Sequence, residues 1–406
     1  MMGTERTTMA SLALILSYAA VAFAQIETPP EGRIPVATGL SVTPAVYYFA
    51  GYDTDLIRTQ GGRPGQENYV APQIEGWLDR GRIHASFVNA LSYQTGGGTS
   101  SWNHFNSAQF HSDGGLFRVR GLVSNRNHYA PPTDFVGFEL GIRSRRIENT
   151  FEGEFGLAPI GHRLRASVTA KRAALRYNAD QLFEESSLHF NLNRDNTIVS
   201  TQVGWAVSPL TSVTAEVDVS RDKFLYVPGQ NGRGTAMMLG VETKPLGMMT
   251  AIAQWGQLSY TDLNGHSATV PTFSGVVALS RGQSLLTVNA SRNITFSFNA
   301  GTGFYVQSGL DSYLSLKVGQ SLEPYIREQW RLLKPQGALA SEGAFTGAQR
   351  LKGGLAFRIG QLRIGPEVER YTYSGPGAFA GWRGVVFMVF GSDRIVRMDR
   401  PVADEW

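Results

Sequence analysis

From about Gly39 to Phe390 the chain alternates apolar and polar positions in segments of roughly a dozen residues, the period-two pattern of strands with one face toward hydrocarbon and the other toward water. Thr197, Val199, Thr201, Val203, Trp205 and Val207 share one parity, while Ser200, Gln202 and Gly204 take the other. Val213, Ala215, Val217 and Val219 likewise oppose Thr214, Glu216, Asp218 and Ser220, and Leu351, Leu355, Phe357 and Ile359 oppose Lys352, Ala356 and Arg358. Short turn signals such as Asp79-Arg80-Gly81, Ser208-Pro209-Leu210, Arg281-Gly282-Gln283 and Gly360-Gln361 separate these segments. Longer polar connections, near 53–67, 96–100, 127–134, 178–186, 227–233, 261–269, 299–303, 335–347 and 374–379, alternate with the short ones. This alternation predicts an all-β fold, a transmembrane antiparallel β-barrel of about 18 strands, with 16 and 20 as the alternatives. Two segments, 135–158 and 187–207, are read as strands that project beyond the bilayer.

The ends carry different signals. Arg6, the apolar run from Met9 to Val21 and the small-x-small triplet Ala22-Phe23-Ala24 read as a signal peptide over residues 1–24, with cleavage near Ala24/Gln25. Residues 25–38, with Pro29, Pro30 and Pro35, read as a periplasmic lead, 39–391 as the barrel and 392–406 as a polar periplasmic tail. After Ala24 charged or strongly polar residues interrupt each apolar run before it reaches ~18 residues, so a membrane span has to be made of strands. The expected location is the outer membrane of a Gram-negative-type bacterium.

Composition narrows the chemistry. The formal charge of +4 is too mild to imply nucleic acid as a partner, and the chain has no cysteine, so closure of the sheet replaces disulfides. His104 and His111 stand too far apart on one strand to form a compact pair, His84, His128, His162, His189 and His266 fall in separate elements without close ligand spacing, and no Gly-x-Ser-x-Gly elbow occurs, so neither a metal, a cofactor nor catalysis is expected. The aromatic residues Tyr47, Trp77, Trp205, Tyr226, Trp255, Tyr260, Tyr373 and Phe390 approach strand ends and are candidates for two interfacial girdles. Charges of lumenal parity are the candidate pore lining: Arg118, Arg120, Arg163, Arg165, Lys171, Arg327, Arg331, Arg358 and Arg363, opposed by Glu152, Glu154, Glu216 and Asp218. Two readings stand open: a mutually neutralising ladder that braces the wall, or a mildly basic path for anionic sugars. Cross-strand pairing of Arg163 and Arg165 with Glu152 and Glu154 is expected from their position across a turn.

The stretches RSRRIEN from Arg143 to Asn149, VSPLTSVT from Val207 to Thr214 followed by SRDKF from Ser220 to Phe224, and SRNIT from Ser291 to Thr295 followed by YVQSG from Tyr305 to Gly309 carry a likeness. In their order and spacing the chain resembles the second β-barrel porin family, outer-membrane proteins often encoded in exopolysaccharide-secretion gene clusters. The resemblance implies a porin-like channel for hydrophilic solutes or a secreted exopolysaccharide, or else a closed assembly barrel of an export complex; an outer-membrane enzyme is the weakest reading. It also implies lipids and lipopolysaccharide of the outer membrane, the barrel insertion machinery and polysaccharide export proteins as partners. Unlike many barrels, the chain continues past its last strand aromatic, Phe390.

Overall fold

The computed structural model describes residues 33–391 apart from 55–63, 97–98, 131–143, 161–162, 179–181, 184–185, 247–248, 297–303, 336–345 and 375–377. The expected signal peptide, most of the lead and the tail lie outside the described residues. After a short β1 (Ile34–Ala37) come β2 (Leu40–Asp53), β3 (Gly65–Arg80), β4 (Ile83–Gly96), β5 (Thr99–Asp113), β6 (Phe117–Ala130), β7 (Ser144–Ile160) and β8 (Leu164–Tyr177). The pair β9 (Leu182–Phe183) and β10 (Ser186–Ser187) leads into a one-turn helix, α1 (Leu188–Leu192). The wall resumes with β11 (Arg194–Ala206), β12 (Thr211–Phe224), β13 (Gly232–Leu246), β14 (Met249–Asp262), β15 (Ser267–Arg281) and β16 (Ser284–Phe296). It ends with β17 (Phe304–Leu316), β18 (Leu322–Pro335), β19 (Thr346–Ile359), β20 (Leu362–Ser374) and β21 (Phe379–Gly391).

Eighteen of these strands, β2 to β8 and β11 to β21, pair antiparallel with their neighbours, and β21 returns to β2 with Ala45 opposite Gly391 and Asp53 opposite Arg383. The all-β, closed 18-strand antiparallel barrel is therefore the architecture that the alternation predicts. Closure removes the sheet edge, whose free N–H and C=O groups could not be satisfied in hydrocarbon. Because β21 stops opposite Ala45, the first residues of β2 would keep an open edge. The chain covers it with itself: it reverses at Gly39, whose φ of +75° suits glycine, and β1 pairs Ile34 with Val42 and Ala37 with Leu40. Residues 34–37, expected in the lead, are thus part of the sheet. The segment 187–207 is not one long strand but α1 followed by β11, and the expected loop at 96–100 shrinks to the short link between Gly96 and Thr99.

Parity separates the two faces. Phe151, Val199, Val217, Val219, Met237, Leu239 and Trp255 are exposed on the outside, where hydrocarbon replaces a core. Gln202, Glu216, Asp218, Lys171, Asp311, Lys352 and Glu367 share the inside. On β4 to β7 a row of amides interrupts the apolar exterior: Asn89, Asn106, Asn125 and Asn149 are consecutive register partners. They answer one another, Asn89 donating to Asn106 at 2.5 Å and Asn125 to Asn149 at 2.7 Å, as polar groups away from water must.

A barrel of eighteen tilted strands has a backbone diameter of about 35 Å, too wide for wall side chains alone to fill. Yet Ile198, Phe224, Leu258 and Tyr260, all on the inside near the outer mouth, are no more than 2% exposed. Two inward-folded segments help to cover the inner face. Pairing of β15 with β16 stops at Phe273 opposite Arg292, although both strands continue toward the outer side. Beyond that point β16 stays paired only with β17, and Ile294 and Val306, of outward parity, join one apolar cluster with inward-facing Leu258, Tyr260 and Val270. The outer ends of β16 and β17, with β17 still paired to β18 as far as Tyr305 opposite Pro335, therefore part from β15 and curl across the inner face. On the other side α1 sets Leu188 and Leu192 against Leu175 and Tyr177 of β8, with the Ser187 hydroxyl capping the helix by accepting from the Phe190 N–H at 3.3 Å.

Candidate lumenal site

The inner face is built by parity from strands whose outer face is apolar, and many of its charges stand in opposite-sign pairs. On β6 to β8 the Arg120 guanidinium lies 3.7 Å from Glu154, and Lys171 lies 3.2 Å from Glu152. Arg165 reaches across two strands to Glu242. The path exists because Gly204 faces it: a Cβ there would stand 2.6 Å from the Arg165 Nε. Glu216 accepts from Gln202 at 3.0 Å and from Gln254 at 2.7 Å, with Asp218 next to it on the same face of β12. On the opposite arc Arg327 donates to Asp311 at 2.9 Å, Lys352 lies 2.9 Å from Glu367, Arg363 lies 3.4 Å from Glu323, and Arg383 bridges Glu67 and Glu369. The Tyr325 hydroxyl donates to Glu367 at 2.7 Å, and Tyr371 donates to Asp53 at 2.5 Å.

Of the candidate lining residues, Arg118, Arg120, Arg165, Lys171, Glu152, Glu154, Glu216, Asp218, Arg327, Arg331, Arg358 and Arg363 share the inward parity. Arg331 donates to the carbonyls of Leu310 and Trp330 at 3.3 and 3.1 Å, and Arg358 stands opposite Arg363. Arg163 does not line the wall; it sits exposed in the turn after β7. Nor are Arg163 and Arg165 the cross-strand partners of Glu152 and Glu154, although Arg165 lies within electrostatic reach of Glu154. The β7/β8 register sets Glu152 opposite Lys171 and Glu154 opposite Thr169, so Glu154 turns instead to Arg120 on β6. Carboxylates thus stand beside cations on both arcs.

The aromatic candidates divide between the faces. Trp205, Trp255 and Phe390 are exposed on the outside. Tyr226, just past β12, is exposed and stacks on Phe190 with ring centroids 5.6 Å apart. Tyr47, Trp77 and Tyr260 are instead buried on the inside, and Tyr373 packs inside with Leu333. Nearness to a strand end does not decide the face; parity does. Tyr47 shares its side of β2 with Thr43 and Phe49, and it meets Phe49 and Tyr69 at 5.9 and 5.8 Å in edge contacts. Arg383 lies 4.6 Å above the Phe49 ring.

Register also joins two histidines that lie far apart in sequence. His84 and His111 are direct partners on β4 and β5, their rings stacked at 4.6 Å, with Asp79 3.2 Å from His84. They border a cavity of about 430 Å³ at the inner mouth, lined also by Trp77 and Arg120. The link between Gly96 and Thr99, midway between the two in sequence, was the signal available. Among the described residues no group of three or more His, Asp or Glu side chains could hold a metal ion.

The Lys171–Glu152 pair is buried on both sides, at 5% and 7% side-chain exposure. Lys171→Met should therefore destabilise the barrel by about 3 kcal/mol, because Glu152 keeps its charge without its partner, and adding Glu152→Leu should recover most of that loss. Urea unfolding monitored by the heat-modifiable gel shift of the folded barrel measures both. Equal losses for the single and double variants would show that the pair does not carry the effect.

No family model matches the chain, and no curated protein matches it. Among solved structures it is similar to a BenF-like porin from Pseudomonas fluorescens Pf-5, at 11% identity and a TM-score of 0.48 over 88% of this chain and 100% of that one. It is similar to Pseudomonas aeruginosa OccK2 (OpdF), solved in complex with glucuronate, at 10% identity and a TM-score of 0.47 over 88% and 100% of the two chains. It is also similar to the siderophore receptor PirA from Acinetobacter baumannii, at 7% identity and a TM-score of 0.43 over 86% and 80%.

Proposed function

We propose that this chain is an outer-membrane channel for the passive passage of hydrophilic solutes. The observation that carries the proposal is the division of faces in a closed barrel: apolar side chains exposed outside, and a charged, hydrogen-bonded lining inside. The two inward-folded segments favour small solutes over a polymer, and export of a secreted exopolysaccharide is supported by the resemblance of the sequence motifs alone. A closed structural barrel is the second reading, favoured by the burial of the inner face near the outer mouth.

Planar-bilayer recording of the full mature chain tests both. Stable conductance steps are expected, and none at all would move the assignment to the closed barrel. Where a lining cation and carboxylate are paired, removing one member should change ion selectivity with a definite sign. Arg165→Gln leaves Glu242 without its partner and should shift the reversal potential toward cations; Glu242→Gln should shift it toward anions. Both shifts should shrink in high salt, which screens exposed charge. Shifts of the same sign in both variants would remove this pair from the conducting path.

A further inference from the structure

Five basic residues form an outward patch at the outer ends of four neighbouring strands: Arg172 and Arg176 on β8, Arg221 and Lys223 on β12, and Arg233 on β13. The strand between β8 and β12 contributes Thr197 and Asp195. Register places Arg172, Thr197, Arg221 and Arg233 in one row, so Arg221 and Arg233 stand directly opposite each other. An anion on this row would lie among the guanidinium groups of Arg172, Arg221 and Arg233. Asp195 is the one outward carboxylate among the described residues of these four strands. It already accepts from Arg172 at 2.8 Å and from Arg176, and it stands opposite Lys223. The patch therefore carries a net excess of positive charge on the face where hydrocarbon begins.

Its surroundings specify the anion. Directly below, toward the middle of the same strands, Val199, Val219, Met237 and Leu239 are exposed and apolar. At the inner ends the same strands present Leu164, Trp205, Val213 and Thr243 outward, with no charge. On the outward face of these four strands cations thus mark the outer rim, above a surface suited to acyl chains. Resting on the outer-membrane placement proposed above, we infer that this patch binds the phosphate groups of a phosphorylated lipid of the outer leaflet, whose acyl chains lie along Val199, Val219, Met237 and Leu239. A free anion would have no use for the apolar face beneath, and a second copy packed through this patch would bring its own cations against these.

The test uses the purified full mature barrel in detergent, titrated with bis-phosphorylated lipid A and with lipid A stripped of both phosphates. Wild type should bind the phosphorylated lipid and bind the stripped lipid far more weakly. Arg221→Gln/Lys223→Gln/Arg233→Gln should weaken binding of the phosphorylated lipid by about a hundredfold at low salt, a factor of roughly five for each cation lost at a membrane surface. Arg281→Gln, an outward cation at the inner rim, should leave binding unchanged. Each variant is first shown to give the heat-modifiable band of a folded barrel. Equal binding of the two lipids, or no loss in the triple variant, overturns the inference, as does full competition by inorganic phosphate at equal concentration. A dimer that dissociates in the triple variant while lipid binding stays unchanged would assign the face to a second copy and also overturn it. Cell fractionation separates this outcome from the placement itself: recovery of the wild type outside the outer membrane refutes the placement, whereas phosphate-dependent binding is read on the purified protein.

Discussion

Ile294→Asp/Val306→Asp is expected to raise the single-channel conductance of the barrel. Both side chains have the parity of the outer wall, yet Ile294 is 0% and Val306 2% exposed, because the β16/β17 hairpin bends inward above Phe273–Arg292 and seats them on Leu258 and Val270. Burying two such side chains is worth about 3 to 6 kcal/mol in total. That is enough to hold the hairpin end inward by a factor of roughly 10² to 10⁴. Two carboxylates in the same place would have to leave water for an apolar cluster, so the seat should be lost and the lumen widened. The chain contains no cysteine, which makes an independent readout simple. A cysteine introduced at Val306 should react slowly with a water-soluble maleimide, and faster once Ile294→Asp is added. Fast labelling with unchanged conductance would mean that the hairpin moves but does not limit the flow. Slow labelling in the presence of Ile294→Asp would mean that the seat holds by other contacts.

This hairpin also marks the boundary of what the sequence discloses. Strand number, closure and the facing of most lining charges follow from period two, because in a β-strand parity alone assigns a side to each residue. The inward turn of β16 and β17 keeps that parity while it reverses the meaning: Ile294 and Val306 keep outward parity but face the interior of the mouth. No local signal announces it, since the bend arises where β15 and β16 stop pairing and Leu258, Phe224 and Tyr260, distant in sequence, offer an apolar seat. The aromatic residues show the same limit. Tyr260 stands near a strand end as girdle residues do, whereas Tyr47, expected there too, lies at the middle of β2; parity sets both inside, where Gln230 and Tyr69 receive them. Ion pairing depends on register, which a shift of one residue changes completely; hence Glu152 pairs with Lys171 and not with Arg165. The stacked His84 and His111 were legible only to a reader who fixed the link between Gly96 and Thr99 and counted outward from it.

The wall itself is tested by placing a charge at different heights on one strand. Val217 lies in the middle of the outward row of β12, between Ala215 and Val219, and is 42% exposed. An arginine there has no lumen to face and no interface within reach, so Val217→Arg should cost ~2 to 4 kcal/mol of folding free energy in lipid vesicles. Two outward positions further along, the native chain already carries Arg221, at a height where the same residue costs only about 0 to 1 kcal/mol. The penalty should therefore fall from Val217→Arg to Val219→Arg and vanish at the native Arg221. Glu216→Gln, one residue from Val217 but on the inner face, should refold almost as well as wild type, since its side-chain oxygen still accepts from Gln202 or Gln254. Equilibrium refolding from urea into vesicles, scored by the heat-modifiable band, gives all four values. A penalty that does not depend on height, or one equal for Val217→Arg and Glu216→Gln, would mean that β12 does not present its odd residues to lipid, and with that the division of faces behind the channel assignment would fail.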